Sequence, residues 1–273
     1  MSGWLKDRDS VKRNPCIRDR VVFVSVLTLV VSLLAPLRAQ TEQSFDAGCR
    51  TRSAEACPAN PIPNALLALA EECAMDLKRN PNCCAHSKTA ARDYAITKDC
   101  AAEKPEGYLL IPLERVGGVE DQRIFNPPFV DLWAEAWRWS RELPGQPPSR
   151  TALAINSAHR RSQPQLHIHI SCVDRAVSAA LEDADIPWFP AKPRELPKFG
   201  PRQHTYRAVK VSTLTGESSP FLVVMRQVGK SAMQHHGIAV IGASKGGEFY
   251  VLETSEEDGG GHAEDLLDQR CDN

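Results

Sequence analysis

Gln165-Leu166-His167-Ile168-His169-Ile170-Ser171-Cys172 is the stretch whose reading decides the fold. Polar and apolar side chains alternate along it with period two, the pattern of a half-buried β-strand. Gln165, His167, His169 and Ser171 therefore share one face, and Leu166, Ile168 and Ile170 the other. Alternate positions stand roughly 7 Å apart, so two imidazoles and an amide form a row. Upstream, Ala152-Leu153-Ala154-Ile155-Asn156-Ser157 reads as a second short strand, and the polar connection from Ala158 to Pro164 carries His159, Arg160 and Arg161. Two strands joined by a basic loop, one of them bearing histidines, point to a site for an anion. From spacing alone three readings stay open: half of a metal site, since imidazoles at i and i+2 share one ion; a catalytic pair; or a polar face without a task.

Outward from that stretch, 273 residues are enough for one catalytic domain with appendages. A net charge of −1 supplies no basic field, which argues against nucleic acid as a partner. The N-terminus stands apart from the fold. Val21 to Ala35 has no charged side chain and follows Lys6, Arg8, Lys12, Arg13, Arg18 and Arg20, whereas Arg38 is the only base soon after it. By the positive-inside rule residues 1–20 stay cytoplasmic and the rest is exported. The apolar run is short for a span, and Leu37-Arg38-Ala39 is a mediocre cleavage site, so a retained anchor over 21–39, read as a hydrophobic helix, and a cleaved signal both remain open, with the anchor preferred.

Of nine cysteines only Cys16 precedes this run, and the other eight, in an exported chain, read as disulfide partners. No Cys-x-x-Cys pair supports a zinc ribbon. Residues 40–64 are polar and Pro-bearing, a linker that Cys49 and Cys57 could cross-link. Ala65 to Met75 is rich in helix formers and reads as a helix, with Cys73 stapled to Cys83 or Cys84 in the loop beyond it. Tyr94–Lys98 and Gly107–Leu113 read as strands, with the polar Asp99 to Glu106 segment as their hairpin connection. Phe129 to Leu143, after Asn126-Pro127-Pro128, reads as a helix whose Trp133 and Trp137 share a face, better explained by packing on a sheet than by stacking on a base. A short helix is expected over Arg175 to Asp183, and strands over Thr205–Val211, Phe221–Met225, Gly237–Ile241 and Phe249–Leu252. Glu256 to Glu264 reads as acidic, solvated surface. This order of elements predicts an α+β fold with a mostly antiparallel sheet and flanking helices.

Several pieces together resemble the bacterial CDP-diacylglycerol pyrophosphatases, a membrane-associated branch of the histidine-triad superfamily. They are Tyr108-Leu109-Leu110-Ile111-Pro112, Trp133-Ala134-Glu135-Ala136-Trp137, Leu153 to Ser157, Ser162-Gln163, Leu166 to Cys172, His204-Thr205-Tyr206, Ser219-Pro220-Phe221 and the late Cys271. The resemblance implies a histidine-triad-like catalytic domain over 65–273. It implies hydrolysis of CDP-diacylglycerol in the membrane to CMP and phosphatidate, with water as acceptor. It calls for no cofactor and no obligate protein partner. The protein would sit in the inner membrane with its catalytic domain in the periplasm.

The superfamily pattern makes His167 the nucleophile on the α-phosphorus, neutral and held through its other nitrogen by a carbonyl. His169 and Asn156 are then expected on the non-bridging oxygens, with Ser162, Gln163, Arg160, Arg161 and Gln165 as further phosphate contacts. Gln165 stands where the superfamily usually has histidine, and it can donate a hydrogen bond but not a proton. The resemblance also pairs Cys172 with Cys271. No cluster of spare carboxylates and histidines is apparent in the chain, so metal independence is expected. Other readings of the same residues are a nucleotidyl transferase, an exported metal binder using His167 and His169 with His235 and His236, and a non-catalytic nucleotide- or lipid-binding module.

Overall fold

The computed structural model describes residues 42–52, 64–88, 93–101, 103–255 and 260–272. The basic segment 1–20 and the apolar segment 21–39 lie outside these, and among the described residues no helix is long and apolar enough to cross a membrane.

Among the described residues eleven strands form one sheet: β1 (Glu42–Phe45), β2 (Cys83–Lys88), β3 (Tyr94–Lys98), β4 (Tyr108–Pro112), β5 (Thr151–Ile155), β6 (Ile168–Val173), β7 (Arg194–Glu195), β8 (Arg207–Val211), β9 (His236–Gly242), β10 (Phe249–Ser255) and β11 (Leu267–Asp268). Their order is β1-β2-β3-β4-β6-β5-β9-β10-β8-β7, with β11 on β6 beyond the end of β4, and every pairing between these strands is antiparallel. The histidine strand β6 is thus central, flanked by β5 on one side and by β4 and β11 on the other.

Alternation along the strands sorts the core to two faces. On one face Leu153, Ile155, Ile168, Ile170, Val240 and Val251 pack against α2 (Leu132–Ser140) and α4 (Pro220–Val228). On the other, Ala152, Ala154, Ala239 and Ile241 pack under α3 (Arg175–Asp183), while Ala95, Leu109 and Ile111 pack under α1 (Ala65–Met75). His169 lies in register with Leu109 on β4 and Ala154 on β5. It therefore occupies the seam between the regions covered by α1 and α3.

The expected helices 65–75 and 175–183 and the 94–98 strand have the bounds read from the sequence. Three expectations are corrected. Phe221–Met225 is not a strand but the body of α4: Pro220 at the first helical turn fixes a helical start, and Pro220, Phe221, Val223 and Val224 bury the helix against the sheet. Segment 40–64 is not only a linker, since Glu42–Phe45 pairs with β2 as the sheet edge. Cys49 bonds Cys84 and ties that edge down, leaving Cys73 to bond Cys83. Cys57 lies outside the described residues. Trp133 and Trp137 belong to the core, edge-on to Phe221 at 5.4 Å and Phe249 at 5.0 Å.

Cys172 bonds Cys271, with the Cα atoms 5.4 Å apart, and so fastens the C-terminal segment to β6. The two cysteines are 99 residues apart in sequence, so opening the bond in Cys271→Ser is expected to cost about 4.7 kcal/mol in the loop-entropy account. Thermal melts of variant and wild type test this, and an unchanged Tm would show that the β6–β11 pairing holds the segment unaided.

Candidate active site

β6 begins at Ile168, so His167 stands just ahead of the strand. The preceding backbone is stitched to the chain leaving β4: Leu166 N donates to Val116 O at 2.7 Å. The Gln165 carboxamide completes the stitch, its nitrogen donating to Pro112 O at 3.0 Å and Glu114 O at 2.9 Å while its oxygen accepts from Val116 N. Both amide protons are spent, so Gln165 has no donor left for a phosphate. Its expected phosphate contact is corrected to a structural one. What Gln165 offers the site is its backbone carbonyl, 2.7 Å from His167 Nδ1.

A carbonyl only accepts, so that contact places the His167 proton on Nδ1 and leaves the Nε2 lone pair free. Burial, reinforced by the neighbouring His169, lowers the His167 pKa to about 4. The ring is consequently neutral at pH 7. The sign of the linkage is that of a depressed group. Between pH 6.5 and 4 the unfolded chain binds a proton that the folded chain does not. Stability is full above 6.5 and declines as pH falls through 4, by about 3 kcal/mol in all. NMR titration of the His167 ring is expected to give a midpoint near 4, and a midpoint near 6.5 would contradict this.

His169 meets His167 edge-on at 4.9 Å, and each of its own ring nitrogens faces a carboxylate. Nδ1 is 3.6 Å from Asp99 Oδ2 and Nε2 is 3.5 Å from Glu264 Oε2. Lys104 Nζ lies between the same two acids, 3.1 Å from Asp99 Oδ2 and 2.5 Å from Glu264 Oε1. Burial alone would raise both carboxyls, but His169 and Lys104 outweigh it, holding Glu264 at about 2 and Asp99 well below the ordinary carboxylate range. Burial works against the Lys104 charge too, yet Glu264 and Asp99 raise its pKa above the ordinary value.

The backbone explains these placements. Asp99 directly follows β3 on the face of Ala95 and Thr97, anchored by its N–H to Gly107 O at 2.9 Å. Glu264 is brought in by the chain at Gly260–Ala263. Gly261 there passes so close to Thr254 O and Gly237 N that a Cβ would collide, which only glycine avoids. Asn156, at the end of β5, pairs twice with Glu264: its amide donates to Oε2 at 3.0 Å and its oxygen accepts from Glu264 N at 3.0 Å.

The residues expected around the phosphate fare differently. His167, His169 and Asn156 are drawn together, although Asn156 is occupied in holding Glu264. Arg161 does not present a free charge, because Glu120 takes its guanidinium in two contacts of 2.6 Å. Arg160 reaches Gly260 O at 3.2 Å. Ser162 is exposed and Gln163 half-buried on the loop. A cleft of about 300 Å³ opens beside this loop between Glu120, Gln122, Lys230, Ser231 and Gln234, and neither site histidine lines it.

The expectation that no carboxylates gather with the histidines is corrected by the Asp99, His169, Glu264 group, whose ligand atoms lie within 4.8 Å of one another. So is the reading of Glu264 as solvated surface, since its side chain is only 11% exposed. His235 and His236 are not part of the group: His235 stacks on His159, and His236 pairs with Glu253 at 2.7 Å on the opposite face. Asp99, Lys104 and Glu264 were missed as site residues because each looks like loop charge. The signal that existed was weak: Asp99 directly follows a strand whose alternation points it to the Ala95 face.

The family model for CDP-diacylglycerol pyrophosphatase matches residues 62–273. A probable CDP-diacylglycerol pyrophosphatase of Mycobacterium leprae is 34% identical over 179 residues, covering 61% of this chain and 65% of its own length. Among solved structures, yeast Ap4A phosphorylase in complex with AMP superposes with a TM-score of 0.39 at 14% identity, over 60% of this chain and 56% of the other. The same enzyme in complex with Ap4A gives 0.36 at 13%, over 58% and 56%.

Proposed function

Since the chain belongs to the CDP-diacylglycerol pyrophosphatase family, we propose that it hydrolyses the pyrophosphate bond of CDP-diacylglycerol to CMP and phosphatidate through a covalent CMP–His167 intermediate. The observation that carries the mechanism is the 2.7 Å contact from His167 Nδ1 to Gln165 O. It fixes the tautomer in which Nε2 is a lone-pair donor at neutral pH.

In this reading Nε2 attacks the phosphorus of the CMP moiety. The bond from that phosphorus to the bridging oxygen breaks, and phosphatidate leaves with the electron pair. Attack places positive charge on the ring, and the carbonyl of Gln165 is already aimed at the Nδ1 proton, so the contact strengthens as charge develops. Water then cleaves the phosphorus–nitrogen bond, releasing CMP and restoring the neutral ring. A phosphate monoester is a good leaving group, so the absence of an acid at position 165 is tolerable. His169 has a carboxylate facing each ring nitrogen and stands edge-on to His167, so in this reading it holds the His167 ring in place rather than donating to the phosphate.

Purified protein incubated with CDP-diacylglycerol in mixed micelles in ¹⁸O-water tests the reading. It predicts CMP release with the heavy oxygen in CMP. Label in phosphatidate instead would place the attack on the other phosphorus and defeat it.

A further inference from the structure

Asp99, His169 and Glu264 have the composition of a divalent-metal site, yet the place such an ion would take between the two carboxylates is held by Lys104. We propose that Lys104 is a built-in cation standing where a metal would bind, and that it positions Asp99 and Glu264 on the ring of His169.

The contacts leave little room for another reading. Asp99 Oδ1 accepts from Ala101 N at 3.2 Å, and Asp99 Oδ2 faces Lys104 and His169. Glu264 Oε1 accepts from Gln269 at 3.1 Å besides meeting Lys104, and Oε2 accepts from Asn156 besides facing His169. Every carboxylate oxygen is engaged, so an entering metal ion would have to expel a cation from a largely buried place. The lysine is also held by its backbone. In the β3–β4 turn its N–H donates to Ala101 O at 2.9 Å and its carbonyl accepts from Gly107 N at 3.0 Å, which directs the side chain back under β6.

The charge balance gives the device a purpose. Two bare carboxylates beside a site for an anionic pyrophosphate would repel the substrate. A lysine cancels one of those charges permanently, with no dependence on metal supply. Its amine also reaches oxygens on both acids at once, fixing their separation and through it the tilt of the His169 ring. Lys104 touches no reacting atom in this scheme and acts through the histidine.

The role in catalysis rests on the function proposed above, whereas the metal question does not. Wild type, Lys104→Met and Lys104→Arg would each be dialysed against chelator, titrated with ZnCl₂ by calorimetry, and assayed for CMP release with and without chelator. Wild type and Lys104→Arg are expected to take up no stoichiometric zinc and to ignore the chelator. Lys104→Met is expected to bind one zinc per chain, and its kcat to fall about 10- to 100-fold with KM nearly unchanged. Stoichiometric zinc in wild type would overturn the proposal even if Lys104→Met failed to fold. No zinc uptake by folded Lys104→Met would overturn it too. An unchanged kcat in that variant would overturn the positioning role. Absence of any activity on CDP-diacylglycerol would defeat the proposed function while leaving the zinc titration decisive.

Discussion

His167→Ala is expected to reduce CMP release by on the order of 10⁴-fold or more, the scale at which removing a nucleophile removes a covalent route. The effect should fall on kcat rather than KM, since the imidazole contributes to bond formation more than to binding. Stability should fall as well, by about 1–3 kcal/mol, because alanine leaves the buried Gln165 carbonyl without its Nδ1 partner. A cooperative melt that stays above the assay temperature, together with the lost rate, separates chemistry from folding. Turnover retained within tenfold would show that water attacks directly and that the imidazole is a bystander.

Glu264→Gln is expected to have the second largest effect, on stability as well as rate. The carboxylate meets Lys104, His169, Asn156 and Gln269. Removing its charge leaves Lys104 and His169 with Asp99 as the one remaining acid of the group. Breaking such a buried pair costs about 3 kcal/mol or more, which for a domain of this size lowers Tm by roughly 6–12 °C. The pH linkage of the same contacts gives a figure of the same order. A carboxyl at about 2 against an ordinary 4.5 contributes about 3 kcal/mol, present above pH 4.5 and lost as pH falls through 2. Calorimetric melts at pH 7 check this. If Tm and kcat were both unchanged, the acid would be a spectator.

Much of this arrangement is legible in the amino-acid sequence, and the rest is hidden for physical reasons. The strand Tyr94–Lys98 and the helix-forming run Ala65–Met75 are legible because local propensity decides them, although every residue of that strand is buried and its burial does not alternate. Phe221–Met225 was misread because five consecutive apolar residues have no period of their own. The decision came from Pro220 and from an apolar face waiting on the sheet. The role of His167 and its carbonyl partner was an expectation of the family resemblance, since the strand pattern alone left three readings open. The tie of Gln165 to residues 112–116 was not, because it depends on where the chain leaving β4 runs, some fifty residues earlier in sequence. The acid cluster was hidden for a similar reason. Asp99, Lys104 and Glu264 come from two loops that meet only because β4 and β11 both pair with β6. In sequence they are ordinary loop charges, and only the register makes them one group. The disulfides followed the same rule: Cys73 had two adjacent candidates, and the sheet edge carrying Cys49 decided which one remained for it.

The central claim is that His167 is the nucleophile, and the most direct measurement is to catch the nucleotide on it. Rapid acid- or alkali-free denaturing quench of enzyme with CDP-diacylglycerol labelled in the CMP phosphate, followed by digestion and mass spectrometry, is predicted to find CMP on the peptide containing His167, formed at least as fast as CMP appears. A burst of free CMP with no label on that histidine at any time would contradict it.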